Sequence, residues 1–349
     1  MTLDVALSVL DLSPVSSGST VGDALRSSIE LVQFCERLGY HRYWVAEHHN
    51  MPGIASSSPA VLLAHLASVT ERIRLGSGGV MLPNHSPLVI AEQFGMLEAI
   101  HPGRIDLGIG RAPGTDPNTA RALRRGGNLD VDDFPESFDE LVGYFTGAST
   151  LANPFHRITA VPGKGHMPQI WMLGSSDYGA RTAGMLGLPF SFAHHFAAHN
   201  TVAALAIYHQ NFTPSTGLFE PYASIGVNVV AADTDEEARY LAGSGLLSFL
   251  RLRQGRPGPM PTPQEAAEYD YNAAEQQMID SRLADSIVGS PETVEARIDD
   301  LVSRTGVGEI MITTMTHDPS ARRHSYELIA NLGRTDTDTD TDNNAEQAA

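Results

Sequence analysis

The chain has 349 residues, a formal net charge of −18 at pH 7 and a sequence pI near 5.1. A chain of this length can bury a large core, either as one large α/β domain or as two ordinary ones. The acidic balance excludes nucleic acid and anionic membranes as expected partners, because no basic stripe is available to neutralise phosphates, and no apolar run approaches the ~20 residues of a membrane-spanning helix.

Short runs rich in Val, Ile, Leu and Gly alternate along the chain with longer stretches of helical period, which is typical of a mostly parallel sheet with crossover helices. In chain order, the predicted strands are 5–12, 42–47, 73–79, 104–110, 169–174, 189–193, 223–232 and 309–315. Eight strands with intervening helices favour an α/β fold of the (β/α)8 barrel type over a doubly wound sheet, which usually has fewer strands.

Ser-Pro pairs mark three predicted helix starts, at Ser58-Pro59, Ser86-Pro87 and Ser290-Pro291. A serine at this position can cap the unpaired amides of the first turn, and proline fits the first helical position.

Two long intervals, 111–169 and 232–308, interrupt the regular spacing of the strands. The segments 146–168 and 255–264 within them are rich in Pro and Gly, and we expect them to cover one end of the barrel as lids. We predict a single domain over 1–333. The remaining segment, 334–349, is a Thr-Asp repeat without large apolar residues and is expected to be a disordered acidic tail.

The chain contains one cysteine, Cys35, so it cannot form an intrachain disulfide. Cys35 lies in a helical apolar stripe, which predicts a small buried hydrophobic residue and not a reactive thiol. The amino terminus lacks the basic segment and apolar run of a signal peptide, so we expect a cytoplasmic protein.

Polar residues and glycines gather where the predicted strands end. Because the carboxyl ends of barrel strands share one face, which carries the active site, this convergence predicts a site there. The residues, taken strand by strand from the second to the sixth, are Glu47, His48 and His49; Ser77, Gly78 and Gly79; Gly108, Gly110 and Arg111; Gly174, Ser175 and Ser176; His194 and His195.

Three glycine-containing segments at these ends have two interpretations each. In 173–184, a strand passes through Gly-Ser-Ser into a helix, which is either a phosphate site or a plain helix cap. In 108–112, glycines allow close backbone approach to a planar ligand, and Arg111 suits a phosphate. In 77–83, two glycines on a strand indicate a bulge, the approach of something flat, or packing alone.

A metal site is the alternative for the histidines of 194–200. His194, His195 and His199 could act as ligands, but adjacent strand residues project to opposite faces. The first predicted strand also lacks the His-x-His of barrel metallohydrolases. We therefore predict no metal ligands.

Four stretches of the chain resemble the bacterial luciferase-like family of flavin-dependent monooxygenases. They begin with "AEHHN", "GSGGVMLPNHSPLVIAEQ", "WMLGSSDYGARTAG" and "SPETVEARIDDLV" and cover 46–50, 76–116, 171–196 and 290–314. The resemblance implies an insertion-bearing (β/α)8 barrel, often a homodimer, that binds FMN at the carboxyl ends of its strands.

The resemblance also implies roles for individual residues. His48 matches the family's catalytic base beside the flavin, and His49 matches the neighbour that supports it. Gly78 and Gly79 fall where the family has a cis peptide beneath the flavin ring. Phosphate contacts are implied for Arg111, Arg121, Ser175 and Ser176. Gly110 and His194 occupy flavin-lining positions that hold cysteine and tryptophan in luciferase itself, so we expect monooxygenation and not light emission.

The expected reaction uses reduced FMN and O2 to insert one oxygen atom into an organic substrate. That substrate is an aldehyde, or a polyketide or other natural-product intermediate that is hydroxylated or epoxidised. No G-x-G-x-x-G nicotinamide fingerprint opens a helix, so a separate flavin reductase is expected to supply the reduced cofactor.

Three alternatives remain open at this point: a deazaflavin-dependent dehydrogenase on the same barrel, a non-catalytic flavin-binding protein and a barrel metallohydrolase. A non-catalytic role would leave the base His48 without a task.

Overall fold

The fold is built on nine parallel strands, seen in a computed structural model that describes residues 5–112, 114–124, 133–148, 155 and 157–333. Eight of them pair in the ring order β1-β2-β3-β4-β5-β6-β7-β9, and β9 pairs with β1 to close a barrel. The strands are β1 (Ala6–Asp11), β2 (Arg42–Val45), β3 (Arg74–Met81), β4 (Ile105–Gly110), β5 (Gln169–Gly174), β6 (Phe190–Phe192), β7 (Ala223–Ala231), β8 (Ile287–Gly289) and β9 (Glu309–Thr313). The predicted (β/α)8 barrel and its eight strands are therefore confirmed.

The ninth strand, β8, was not predicted. It has only three residues and pairs with the last three residues of β7, beyond the pairing of β7 with β9. Strand β6 is equally short but lies in the largely apolar run 189–193, whereas β8 has only the two apolar side chains Ile287 and Val288 between serines, which is too little to indicate a strand.

Helices alternate with the strands around the barrel. Within the described residues they are α1 (Val21–Arg37), α2 (Pro59–Ser68), α3 (Pro87–Ile100), α4 (Pro117–Arg124), α5 (Phe134–Thr146), α6 (Asp177–Leu186), α7 (His194–Ala197), α8 (Thr201–Asn211), α9 (Asp235–Arg253), α10 (Pro263–Ala267), α11 (Ala273–Ala284), α12 (Pro291–Thr305) and α13 (Pro319–Ala330). None of these is both long and apolar enough to cross a membrane.

The three Ser-Pro pairs start helices α2, α3 and α12 as predicted. Only Ser290 also caps its helix, by accepting a hydrogen bond from the backbone N–H of Thr293. Ser58 and Ser86 make no side-chain cap. The proline at the first helical position is therefore the more dependable part of the signal.

Alternating strand residues divide the core into two parts. Val9, Tyr43 and Val45 point outward into the large cluster between barrel and helices, where Cys35 is fully buried as predicted. Burial raises the pKa of the Cys35 thiol, which keeps it protonated. Trp44 and Trp171 belong to a smaller cluster and pack edge to face at 5.1 Å.

Buried ion pairs close the amino-terminal end of the barrel. Arg42, the first residue of β2, donates from Nη1 to Asp106 Oδ2 at 2.6 Å and from Nε to Glu309 Oε1 at 2.7 Å. Arg74 Nη2 pairs with the other Asp106 oxygen at 2.5 Å. Each charge at this end therefore has a partner within the chain, as buried charges require.

The single-domain prediction for 1–333 and the predicted acidic tail remain predictions, since residues 334–349 lie outside the described residues.

Candidate active site

A cavity of about 590 Å³ opens at the carboxyl ends of the strands. This volume falls within the ~300–1,000 Å³ of typical ligand pockets. All eight barrel strands or the residues just after them contribute to its wall, and the wall is mainly apolar. Ten of the fourteen residues predicted to converge at this end line the cavity, and their role in an active site remains a prediction.

His48 lies in this wall just after β2. Its Nδ1 donates a long hydrogen bond, 3.4 Å, to the carbonyl of Gly114. Because a carbonyl only accepts, this contact leaves Nε2 as the nitrogen that can take up a proton. Burial lowers the pKa of His48, so the imidazole is neutral near pH 7. A neutral imidazole at the cavity wall has the protonation state that a general base requires.

His49 turns away from the cavity and bonds to Glu47. Its Nε2 lies 2.9 Å from Glu47 Oε1, and it does not contribute to the cavity wall. The two histidines thus face different partners, with one at the cavity and one supporting the adjoining wall.

Glu47 is a buried carboxylate that connects the end of β2 to the segment after β3. Besides His49, it accepts from His85 Nε2 at 2.8 Å and from the backbone N–H of Met81 at 3.1 Å. Burial alone would raise the pKa of Glu47, but these hydrogen bonds outweigh it and the pKa is lowered. Glu47 is therefore ionised and fully engaged. His85 was missed in the sequence because it lies beyond a strand end, in a turn.

The Gly78–Gly79 peptide bond is cis, as the resemblance implied, and both residues line the cavity. The pairing of β3 with β4 shifts register between Ser77 and Val80, which is the predicted bulge. A Cβ on Gly78 would lie 2.7 Å from Leu10 Cδ1, and one on Gly79 would lie 2.8 Å from the Gly108 carbonyl oxygen. Backbone atoms exclude a side chain at Gly79, and one at Gly78 would require Leu10 to move, so bare backbone lies at the cavity at both positions. Gly110 also lines it.

Arg111, Ser175 and Ser176 line one side of the cavity, at the ends of the neighbouring strands β4 and β5. The Arg111 guanidinium lies 4.0 Å from the centre of the Tyr178 ring and forms no ion pair with any described residue. Ser176 is the N-cap residue of α6, but its side chain makes no capping bond. A free cation, free hydroxyls and the amides of a helix start together suit a phosphate.

Two predicted cofactor residues are not at the cavity. Arg121 is exposed on α4, donates to Asn118 Oδ1 at 3.3 Å and lies outside the cavity wall. His194 is buried against Thr201, with its Nδ1 2.7 Å from Oγ1, and is also absent from the wall.

His195 takes the place predicted for His194. It lines the cavity, and its Nδ1 donates to the carbonyl of Gly226 at 2.8 Å. Burial lowers the pKa of His195 to about 4, so it is neutral at pH 7. His194 and His195 lie where β6 ends and α7 begins. At such a junction, the direction of each side chain depends on where the backbone changes from strand to helix, which the sequence does not specify.

The interval 232–308 supplies a part of the wall that sequence reasoning missed. The predicted lid 255–264 does line the cavity, whereas none of the described residues of 146–168 does. Met260 exchanges backbone hydrogen bonds with Val15 and Ser17, so this lid is pinned to the loop after β1. The other contributors from the interval are Gly245, Ser248, Phe249 and Leu252 of α9 and Arg282 of α11.

Three aromatic residues of the two long intervals lie away from the cavity. Tyr269 and Tyr271 pack on each other, with ring centres 4.7 Å apart, against the cluster of Leu247 and Leu250. Phe155 is 47% exposed. None of the three lines the cavity.

The described residues contain no group of three or more His, Cys, Asp or Glu placed to hold a metal ion. His194 and His195, the candidates considered from the sequence, turn to separate partners.

Comparison with known proteins agrees with this architecture. Residues 5–309 match the profile of the luciferase-like monooxygenase family. The chain is 51% identical to the uncharacterised Bacillus subtilis protein YvbT, over 94% of this chain and 97% of that protein. It is 45% identical to a luciferase-like monooxygenase of Escherichia coli K12, over 93% and 96%. The crystal structure of apo-MsnO8 superposes with a TM-score of 0.83 at 34% identity, over 94% of this chain and 98% of that one. The chain therefore belongs to the luciferase-like monooxygenase family and is an enzyme of that class.

Proposed function

We propose that the enzyme works in the cytoplasm with reduced FMN and O2 and inserts one oxygen atom into an organic substrate. The substrate is an aldehyde or a natural-product intermediate, and a separate reductase supplies the reduced flavin. One observation carries the proposal: the neutral imidazole of His48 shares a single cavity with the bare Gly78–Gly79 backbone and with the free cation of Arg111.

The residues of the cavity fit FMN. Arg111, Ser175, Ser176 and the start of α6 would hold the phosphate, because together they offer a cation, two hydroxyls and backbone amides. The glycine backbone offers a flat surface on which a planar ring can lie without meeting a side chain. Reduced FMN, when bound, supplies the electrons with which O2 is activated.

The chain's own residues would position the reactants, exclude water and handle the proton. The apolar wall and the lid pinned at Met260 would limit the access of bulk water once substrate is bound, which would strengthen electrostatic interactions inside the cavity. His48 Nε2 would accept a proton from the substrate or O2-derived species, while Nδ1 stays bonded to Gly114. Glu47 would hold the turn that carries His48 by bonding His49, His85 and Met81.

The barrel fold is compatible with either FMN or the deazaflavin F420. A Baeyer–Villiger monooxygenase in complex with FMN and a secondary alcohol dehydrogenase dependent on F420 both share this fold, with TM-scores of 0.66 and 0.67. The sequence relatives favour oxygenation: a Bacillus subtilis protein 34% identical over 93% of this chain is named N-acetyl-S-alkylcysteine monooxygenase. The deazaflavin dehydrogenase therefore stays the second candidate.

We also propose a homodimer formed through the neighbouring helices α2 and α3. Four apolar side chains on these helices are exposed in the single chain: Val61, Val89, Met96 and Ile100. Such a patch is a common mark of a protein interface. Sedimentation of the protein and of Met96→Glu tests this, and a monomeric wild type would contradict it.

The function is tested by mixing the enzyme with chemically reduced FMN and isotopically labelled O2, with decanal and a polyketide-like aromatic as trial substrates. The proposal expects tight FMN binding and one labelled oxygen atom in the product. Substrate oxidation that continues without O2, or that needs F420 in place of FMN, would support the dehydrogenase and overturn the proposal.

A further inference from the structure

Arg282 is a second cation at the cavity that lacks a carboxylate partner. It extends from α11, donates from Nη1 to the carbonyl of His195, and lies 4.9 Å over the ring of Phe249. It forms no ion pair among the described residues, although Arg42 and Arg322, which are also enclosed, pair with acids. Burial lowers the pKa of Arg282, because its charge is poorly solvated, and the opposing effect of the Asp285 charge, which forms no ion pair with it, does not offset this. An anion beside it would relieve this cost.

Two hydroxyls of the same wall also lack partners within the described part of the chain. Ser248 Oγ and Thr313 Oγ1 are buried there without a hydrogen bond, and both residues line the cavity. Ser248 immediately precedes Phe249, over which the Arg282 guanidinium lies. Asn228 lines the cavity and shares with Arg282 a small side pocket of about 50 Å³. Buried polar groups are normally bonded, so these unpaired hydroxyls point to a polar group of a ligand.

This polar group spreads around the mouth away from the predicted phosphate site. Arg111 follows β4. Arg282 contacts His195 just after β6, two strands away in the ring of eight, whereas Asn228 lies on β7 and Thr313 ends β9, three and four strands away. His48 follows β2, which is two strands from β4 and two from β9. Because Asn228 and Thr313 lie on strands away from β4, an anion that they hold together with Arg282 would lie apart from Arg111 and would belong to a molecule other than the cofactor.

We infer that Arg282, with Ser248, Thr313 and Asn228, anchors a carboxylate of the substrate, so that the enzyme acts on apolar molecules that carry a carboxylic acid. The planar guanidinium fork matches a carboxylate, and Phe249, Leu252 and Met260 offer an apolar wall for the rest of the molecule. With a net charge of −18 the protein does not attract anions in general, so recognition depends on this local cation. The inference rests on the proposed function, since it assigns the Arg111 side to the phosphate of FMN.

The test uses two probes of the same shape, 4-butylbenzoate and the neutral 4-butylbenzamide, titrated calorimetrically into the FMN-saturated enzyme. The wild type should bind the carboxylate ~10- to 100-fold more tightly than the amide, the usual effect of a charge-assisted contact. Arg282→Met should remove this preference and leave FMN affinity unchanged, which also shows that the variant is folded. Arg282→Lys should retain part of the preference. Arg111→Met should weaken FMN binding and retain the preference at saturating FMN.

Three results would overturn the inference: a wild type without a preference, including one that binds neither probe; a preference that survives in Arg282→Met; or a loss of FMN affinity in Arg282→Met equal to that in Arg111→Met. The last would make Arg282 a cofactor contact. Failure of the wild type to bind FMN would instead count against the proposed function, and the same probe titration without cofactor would still decide the carboxylate anchor.

Discussion

At the amino-terminal end of the barrel, Arg42 and Arg74 pair with Asp106 and Glu309, whereas at the carboxyl end Arg111 and Arg282 have no carboxylate partner among the described residues. The residue types are similar, yet one set of charges is satisfied by the chain and the other is not. Groups that are satisfied within the chain stabilise the fold. Groups left without partners are available to a ligand, as expected for the catalytic face of a barrel.

The largest expected effect is a loss of activity from a mutation at the carboxyl end of the barrel. His48→Ala should lower single-turnover product formation by ~10²- to 10⁴-fold, the usual contribution of a positioned base. FMN binding should remain, because no phosphate contact is lost. His49→Ala should cost far less, since His49 bonds Glu47 and does not line the cavity. Product yield from His48→Ala near that of the wild type would mean that His48 only forms part of the cavity wall and is not a base.

Mutations at the amino-terminal end of the barrel should lower the stability of the protein and leave ligand binding unchanged. Arg42→Met leaves two buried acids short of a partner and should lower the free energy of unfolding in urea by ~3–5 kcal/mol. Arg304→Met, which removes an exposed pair with Asp300, should cost only ~0–1 kcal/mol. Equal losses from the two variants would contradict the contrast between the ends.

The phosphate assignment predicts a smaller change in affinity. Arg111→Ala should weaken FMN binding by ~10- to 150-fold, because a charge-assisted contact is lost. Arg121→Ala is the matched control, since Arg121 lies outside the cavity wall, and it should leave the dissociation constant unchanged. Fluorescence titration of FMN measures both, and an unaffected Arg111→Ala would end the assignment.

The pH dependence of turnover follows from the burial of His48. Burial lowers its pKa, so the imidazole remains neutral somewhat below the ~6.5 of a solvated histidine. Activity that needs the neutral base should therefore persist below that pH and fall only as the pH passes through the lowered pKa of His48. A rate profile of kcat/KM measures this acid limb. A limb above pH ~6.5, or one that persists in His48→Ala, would point to another group.

The smallest effect distinguishes two adjacent threonines. Thr314 Oγ1 donates to the Val229 carbonyl at 2.8 Å, whereas the Thr313 hydroxyl has no hydrogen-bond partner in the part of the chain that the structure describes. Thr314→Val should therefore lower the free energy of unfolding by ~1–3 kcal/mol, while Thr313→Val should be neutral or slightly stabilising. Thermal melts of the two variants measure the difference, and a larger loss in Thr313→Val would show that its hydroxyl is bonded after all.

The sequence predicted the barrel and part of the candidate site. Apolar runs predicted eight strands, Ser-Pro pairs predicted three helix starts, and the positions at the strand ends or just after them predicted His48, Gly78, Gly79 and Arg111 as site residues. These signals are local. That His195 and not His194 lines the cavity depends on where the backbone changes from strand to helix between β6 and α7.

Arg282, Ser248 and Thr313 carried no signal at all. Their distinguishing property, the lack of a bonding partner among the described residues, exists only after distant segments of the chain have packed together. The absence of a partner is a tertiary property, and a pattern along the chain does not contain it.

The most direct measurement is a crystal structure of the enzyme with FMN. The account predicts the phosphate on Arg111, Ser175 and Ser176, the ring against the Gly78–Gly79 backbone, and His48 Nε2 facing the space above the ring, with Arg282 left free of the cofactor. A phosphate bound at Arg282, or a ring lying away from Gly78 and Gly79, would contradict it.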